Sequence, residues 1–203
     1  MEQPMGVVLA GGQATRMGGG DKGALVVGGR SMLDRVVDRL GPQVGRLVIN
    51  ANGDPHRFAE YGLPVVADSL PDFPGPLAGV LAGMEWAAQA GATHIVTAAA
   101  DTPFFPTDLV GRLSRAAERA NTPIALAATH EGGRTNRHPT FGLWPVALRA
   151  DLRAALEGGL RKVVLWTDKH GAATAAFDDE AFFNVNTPED LAEAERRAAE
   201  ERV

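Results

Sequence analysis

Gly6-Val-Val-Leu9, running without a break into Ala10-Gly-Gly-Gln-Ala-Thr-Arg-Met-Gly-Gly-Gly-Asp-Lys22, is the stretch that decides the fold. Four apolar residues in succession read as a strand covered on both faces, since a half-exposed strand alternates apolar with polar residues. Similar apolar runs recur at Leu47 to Ile49, Val65 to Ala67, His94 to Ala98 and Ile124 to Ala128. Between them lie segments with helical periodicity. Met32 to Leu40 puts Leu33, Val36, Val37 and Leu40 on one face, Leu77 to Ala90 does the same with Leu77, Val80, Leu81 and Met84, and Thr107 to Ala120 carries Leu109, Leu113 and Ala117. Strand and helix thus alternate, and continuous apolar strands predict an α/β fold with a doubly wound, mostly parallel sheet.

Beyond Thr129 the pattern changes. A polar, glycine-bearing loop is expected from His130 to His138, then a strand at Thr140 to Trp144, a helix from Val146 to Glu157 and a short strand at Ala173 to Phe177. The last helix is signalled by Thr187 as cap, Pro188 at the first helical position and Asp190 in the first turn. The charged Arg196 to Arg202 tail reads as a solvated, fraying face. At 203 residues with no linker or internal repeat, one domain spanning 1–203 is expected. Its first half, to about residue 105, carries the glycine loop, and the second, from about 106, the basic loop.

Composition excludes several classes. There is no cysteine, so disulfide frameworks, thiolate zinc sites and cysteine nucleophiles are ruled out. Twenty Lys and Arg stand against 25 Asp and Glu, a net charge of -5, which speaks against a protein that neutralises a nucleic-acid backbone. No run approaches the roughly 18 apolar residues of a membrane span, and the apolar start is too short for a signal-peptide core, so a cytoplasmic protein is expected. Five histidines without an H-x-x-x-H pair do not suggest zinc.

The loop after Leu9 places five glycines beside Arg16 and Lys22. Glycine lets backbone amides approach an anion and the two cations pair with phosphate oxygens, so Leu9, Ala10, Gly11, Gly12, Arg16 and Lys22 read as a triphosphate cradle. Gly18, Gly20 and Gly23 match G-x-G-x-x-G but neither follow a strand directly nor open a helix, and the Walker pattern fails because Gly23 follows Lys22 where Ser or Thr is required. Asp101 ends the run Ile95 to Ala100, at the carboxyl edge of a central strand where open α/β sheets gather ligands, and suits a hard cation; the competing role is a helix cap after Thr102-Pro103. Asn50 and Asp68 follow strands at the same edge, where loop capping competes with ligand contact. Asn184 and Asn186 flank Val185, so in extended backbone their side chains point the same way; a metal or phosphate shell and turn chemistry before the last helix are both open to them. Pro74-Gly-Pro-Leu-Ala-Gly79 forms a rigid turn into a helix whose amino end can face an anion.

Taken together, Leu9-Ala-Gly-Gly, Arg16-Met-Gly, Asp21-Lys22, Asn50-Ala-Asn, Asp68-Ser, Pro74-Gly-Pro-Leu-Ala-Gly, Asp101-Thr-Pro, His138-Pro-Thr and Asn184-Val-Asn-Thr-Pro-Glu-Asp occur in an order that resembles the molybdenum cofactor guanylyltransferases, within the nucleotidyltransferase superfamily. The resemblance implies a Rossmann-like nucleotidyltransferase fold and transfer of GMP from GTP to the terminal phosphate of molybdenum-molybdopterin, with release of pyrophosphate. It implies Mg2+, with Mn2+ as a substitute, at Asp101; Arg16, Lys22 and Asp101 as the catalytic set; and Leu9, Ala10, Gly11, Gly12, Lys22, Asn50, Asp68 and Asp101 around the nucleotide. His138, Asn184 and Asn186 fall on the acceptor side, with Arg134 and Arg137 adding charge. The resembling guanylyltransferases have glycine after Ala10, leaving room for a purine, where a sister cytidylyl class typically carries alanine. Implied partners include molybdopterin-delivery proteins and molybdoenzyme chaperones. The alternatives are that cytidylyl class, a minimal sugar-phosphate nucleotidyltransferase, and a non-catalytic nucleotide-binding or cofactor-delivery module.

Overall fold

The computed structural model describes residues 3–11, 22–70 and 75–201. In chain order its strands are β1 (Met5–Leu9), β2 (Val26–Val27), β3 (Arg30–Ser31), β4 (Leu47–Asn50), β5 (Val65–Val66), β6 (His94–Ala99), β7 (Ala125–Glu131), β8 (Arg134–Pro145) and β9 (Ala173–Phe177). The helices are α1 (Met32–Leu40), α2 (Pro76–Gln89), α3 (Leu109–Ala120), α4 (Arg149–Glu157), α5 (Val163–Lys169) and α6 (Pro188–Glu200). A seven-stranded sheet runs in the order β5, β4, β1, β6, β8, β7, β9, and β2 pairs with β3 as a separate ribbon. The first four sheet strands are mutually parallel, β8 is antiparallel to both neighbours, and β9 is parallel to β7.

The unbroken apolarity of β1 follows from helices on both faces. Val8 packs in the layer that holds Leu33 and Val36 of α1 and Leu113 of α3. Val7, pointing the other way, packs with Val80, Leu81 and Met84 of α2 and with Leu152 and Trp166 of α4 and α5. Both valines are wholly buried, each removing enough apolar surface to contribute about 1.5 to 3 kcal/mol. Deep in the second layer, the Trp144 indole donates to Thr97 Oγ1 at 2.9 Å, so its buried N–H is satisfied.

Three sequence expectations are corrected. The stretch from His130 to His138 is not a loop: β7 and β8 continue through it as an antiparallel hairpin, paired from Ala127 with His138 to Glu131 with Arg134. Gly132 and Gly133, at φ 55 and φ 78, supply the two left-handed residues that a tight hairpin turn needs. The helix α5 went unread because Val163 to Trp166 is too short a run to show a helical period; Asp151 fixes it by accepting from Trp166 Nε1 at 2.7 Å. The end of α6 is tied down, since Glu201 accepts from Arg35 at 3.1 Å and also pairs with Arg39, both on α1.

Candidate active site

After β1 the chain builds β4 and β5 on one side and then returns to place β6 on the other, so β1 and β6 border the point where strand order reverses. In open α/β sheets the crevice beyond the carboxyl ends at such a point is the ligand site. A pocket of about 380 Å³ opens there. Its floor is Leu9, Ala10 and Gly11 after β1, with Ala99, Ala100 and Asp101 after β6. A Cβ on Gly11 would meet no described atom within 4 Å, consistent with the room that the sequence expects there.

One wall is polar and held together by reciprocal bonds. Asn50 Nδ2 donates to Asp68 Oδ1 at 3.0 Å and to the Val66 carbonyl at 3.2 Å. Asn52 Nδ2 donates to Asp68 Oδ2 at 2.8 Å, while its own Oδ1 accepts from the Asp68 N–H at 2.9 Å. Each Asp68 oxygen is thus oriented by one amide and keeps capacity for a further donor. The sequence reading singled out Asn50 and Asp68 but gave Asn52 no role; its signal is the Asn-Ala-Asn spacing, which puts both amides on one face of the chain.

The adjoining wall is the start of α2. Gly75 caps it at φ 129, a conformation essentially restricted to glycine, and Pro76 occupies the first helical position. Gly75, Pro76 and Gly79 line the pocket. Gly79 is needed for close approach: a Cβ there would lie 2.2 Å from Asn50 Oδ1 and 2.8 Å from Leu9 Cδ2. Pro74 lies outside the described residues.

Opposite the polar wall, Lys22 Nζ donates to Asn186 Oδ1 at 2.5 Å and lies 3.5 Å from Asp101 Oδ2. Asp101 caps no helix, because α3 begins at Leu109 with Asp108 as its cap. Its backbone carbonyl instead accepts from the Val185 N–H at 2.8 Å, and Thr102 Oγ1 donates to Asn184 Oδ1. Val185 is wholly buried with Val27, Met32 and Ala194, so this plug turns Asn184 and Asn186 toward Asp101 and Lys22. The spacing argument from sequence therefore holds, and Thr102 is a partner that it missed.

The donor set is all oxygen: one carboxylate from Asp101 and amide oxygens from Asn184 and Asn186. No group of three or more acidic or histidine side chains is placed to hold a metal ion among the described residues. Such a site fits a hard divalent cation that takes one carboxylate and completes its shell with phosphate oxygens and water. The ammonium of Lys22 already lies between the Asp101 and Asn186 oxygens, which shows that these atoms converge on positive charge.

Other predicted residues lie apart. His138 does not line the pocket; it stacks on Phe182 with centroids 4.6 Å apart, and its Nε2 pairs with Thr129 Oγ1 at 3.0 Å. Burial pushes its pKa below the usual histidine value, so it is neutral at pH 7. Arg137 pairs with Asp168 at 2.5 Å, and Arg134 is exposed on the hairpin. Thr140, two residues on from His138, lines the pocket instead. Gly12 and Arg16 fall outside the described residues.

A doubly wound sheet with a carboxylate, a lysine and a cleft at its switch point is an arrangement able to hold the phosphates of a nucleotide. The family model described as MobA-like NTP transferase domain matches residues 6–173, and the chain belongs to that family. It is 54% identical over 202 residues to a molybdenum cofactor guanylyltransferase of Bradyrhizobium sp. (strain ORS 278), covering 97% of this chain and 93% of that one. A protein of the same name from Cereibacter sphaeroides is 54% identical over 191 residues, 94% of each chain. Among solved structures, molybdopterin-guanine dinucleotide biosynthesis protein A from Archaeoglobus fulgidus aligns with a TM-score of 0.74 at 22% identity, over 97% of this chain and 99% of that one. CMP:2-keto-3-deoxy-manno-octonic acid synthetase aligns with a TM-score of 0.77 at 14% identity, over 98% and 100%. At those identities the likeness is one of fold.

Proposed function

We propose that the protein transfers GMP from GTP to the terminal phosphate of molybdenum-molybdopterin. A phosphate oxygen of the pterin attacks the α-phosphorus of GTP, a new P–O bond forms, the bond from the α-phosphorus to the bridging oxygen breaks, and pyrophosphate leaves. The observation that carries this reading is the convergence of Lys22 with Asp101 and Asn186 at the open end of β1 and β6, across the pocket from the fixed Asp68 carboxylate. The full-length kinship with proteins named molybdenum cofactor guanylyltransferase supports it.

In this reading Asp68 accepts from donors on the guanosine, with Asn50 beside it. Leu9, Ala10, Gly11 and Gly12 bring backbone N–H groups to the phosphates, and Lys22 and Arg16 offset the charge that grows on the departing pyrophosphate. Mg2+ at Asp101, replaceable by Mn2+, neutralises phosphate charge when bound. Asn184 and Asn186 meet the acceptor or complete the shell around the metal. His138 contributes on that side as a neutral ring, with charge left to Arg134. The division of labour follows the chain: residues to about 105 hold nucleotide, and those from about 106 hold acceptor. A cytoplasmic location, and hand-over from delivery proteins to molybdoenzyme chaperones, belong to the same proposal; no helix among the described residues is long and apolar enough to cross a membrane.

The test is pyrophosphate release with each of the four nucleoside triphosphates, with and without molybdopterin. Release with GTP only when the pterin is present supports the reading. Release that ignores the pterin refutes it.

A further inference from the structure

Resting on the proposed transfer and going beyond it, we propose that Asp190 is a positioning residue, whose carboxylate holds the backbone of Asn186 so that the Asn186 side chain meets the Lys22 ammonium. Three observations carry this. Asp190 Oδ2 accepts from the N–H of Asn186 and from the N–H of Thr187, both at 2.9 Å. The second bond belongs to the capping box of α6, in which Thr187 Oγ1 accepts from the Asp190 N–H at 3.2 Å. The first does not, since the residue before a cap has no part in a capping box. That extra bond falls on the residue whose side-chain oxygen accepts from Lys22 Nζ at 2.5 Å.

Upstream the segment is pinned where the Val185 N–H meets the Asp101 carbonyl at 2.8 Å and Thr102 meets Asn184, and downstream where the Thr187 carbonyl accepts from the Leu191 N–H at 3.1 Å. Between those two points the Asn186 N–H is held by Asp190, and without that carboxylate the Asn186 peptide loses this bond and gains freedom to turn. The bonds from the Asn186 and Thr187 N–H groups hold the Asp190 carboxyl below its ordinary pKa, chiefly the one from Asn186. Asp190 does not itself line the pocket, so its effect on the reaction passes through Asn186 and Lys22.

A pure helix cap and a positioning residue differ in what they change. Thr187→Ala removes the other half of the capping box and leaves both Asp190 acceptor bonds in place. Thr187→Ala and Asp190→Ala are expected to lower Tm similarly, while only Asp190→Ala lowers kcat, by about tenfold, with KM for GTP within about twofold of the parent. Asp190→Asn, which keeps an acceptor oxygen, should restore most of kcat. In a Lys22→Ala background Asp190→Ala should cause no further loss, as expected for groups that act as a unit. Equal kcat in Thr187→Ala and Asp190→Ala, alongside a crippled Lys22→Ala, overturns the positioning role and leaves the transfer reading standing. Full activity in Lys22→Ala removes the role given to Lys22 and the positioning role with it, whereas absence of GMP transfer in the parent overturns the transfer reading itself. Should Asp190→Ala not fold, Asp190→Ser carries the same comparison, because its hydroxyl is one bond too short to reach both amides, and parental kcat in it likewise overturns the role.

Discussion

Replacing Gly79 by alanine adds one methyl group to the wall of the pocket, and the packing around it determines what that does. The new Cβ would lie 2.2 Å from Asn50 Oδ1, 3.0 Å from Asn50 Cγ and 2.8 Å from Leu9 Cδ2. Van der Waals contact needs about 3.5 Å, so the Asn50 amide must retreat by roughly 1 Å. That stretches its 3.0 Å bond to Asp68 beyond hydrogen-bond range. A hydrogen bond to a charged group contributes about 1.5 to 3 kcal/mol, so if the orientation of Asp68 sets nucleotide affinity, KM for GTP should rise between about tenfold and a hundredfold. Helix propensity works the other way on stability, favouring alanine by about 1 kcal/mol. Gly83, one turn along α2, is the control: its Cβ would meet the wholly buried Val7 at 2.6 Å, far from Asp68. Gly83→Ala should therefore cost about 1 to 3 kcal/mol of stability by overpacking and leave KM for GTP unchanged. Steady-state GMP transfer at varied GTP, with urea unfolding of both variants, makes the comparison. An unchanged KM in Gly79→Ala refutes the argument that Asn50 and Asp68 fix the nucleotide.

Lys22→Ala should lower kcat at least about tenfold with the fold intact by circular dichroism, since one charge-assisted contact is lost; near-parental turnover contradicts it. Asp101→Asn keeps the shape and removes the charge, so a magnesium titration of activity should shift to much higher concentration, and an unshifted curve removes Asp101 from the metal site. Asp151, on α4, has its pKa lowered to about 2 by His170, Lys169 and Trp166. A carboxyl with a folded-state pKa below its unfolded value stabilises above the unfolded pKa, so this contribution is present above about pH 4 and fades as pH falls toward 2. The gap in urea midpoint between the parent and Asp151→Asn should close over that window, and a gap that persists to pH 2 refutes the linkage.

The first half of the chain, to about residue 105, is the more legible in the sequence. Apolar runs covered on both faces give an unambiguous signal, and α1 at Met32–Leu40 coincides with its predicted bounds because Ser31 and Asp34 form a capping box there. Each strand that ends at the pocket can be placed from sequence, and Leu9, Asn50, Asp68 and Asp101 at those strand ends lie together on its lining. The second half was harder because its elements depend on partners distant in sequence. The hairpin of β7 and β8 looks polar because its strands project past the sheet into solvent, so period-2 burial fails at Thr135 and Asn136. Lys22 with Asn186 and Thr102 with Asn184 join residues 164 and 82 positions apart, and no local pattern announces such pairs. His138 stacks on Phe182, 44 residues away in sequence, and burial lowers its pKa, an environment that its basic neighbours Arg134 and Arg137 do not announce.

The measurement that bears most directly on guanylyl transfer is a competition. The protein is incubated with molybdopterin and a divalent metal at equal concentrations of GTP and CTP, and the dinucleotide products are separated by mass. A pocket that hydrogen-bonds one base leaves buried polar groups unpaired when it holds another, so the guanine dinucleotide should be in large excess. A cytosine dinucleotide in excess contradicts guanylyl transfer.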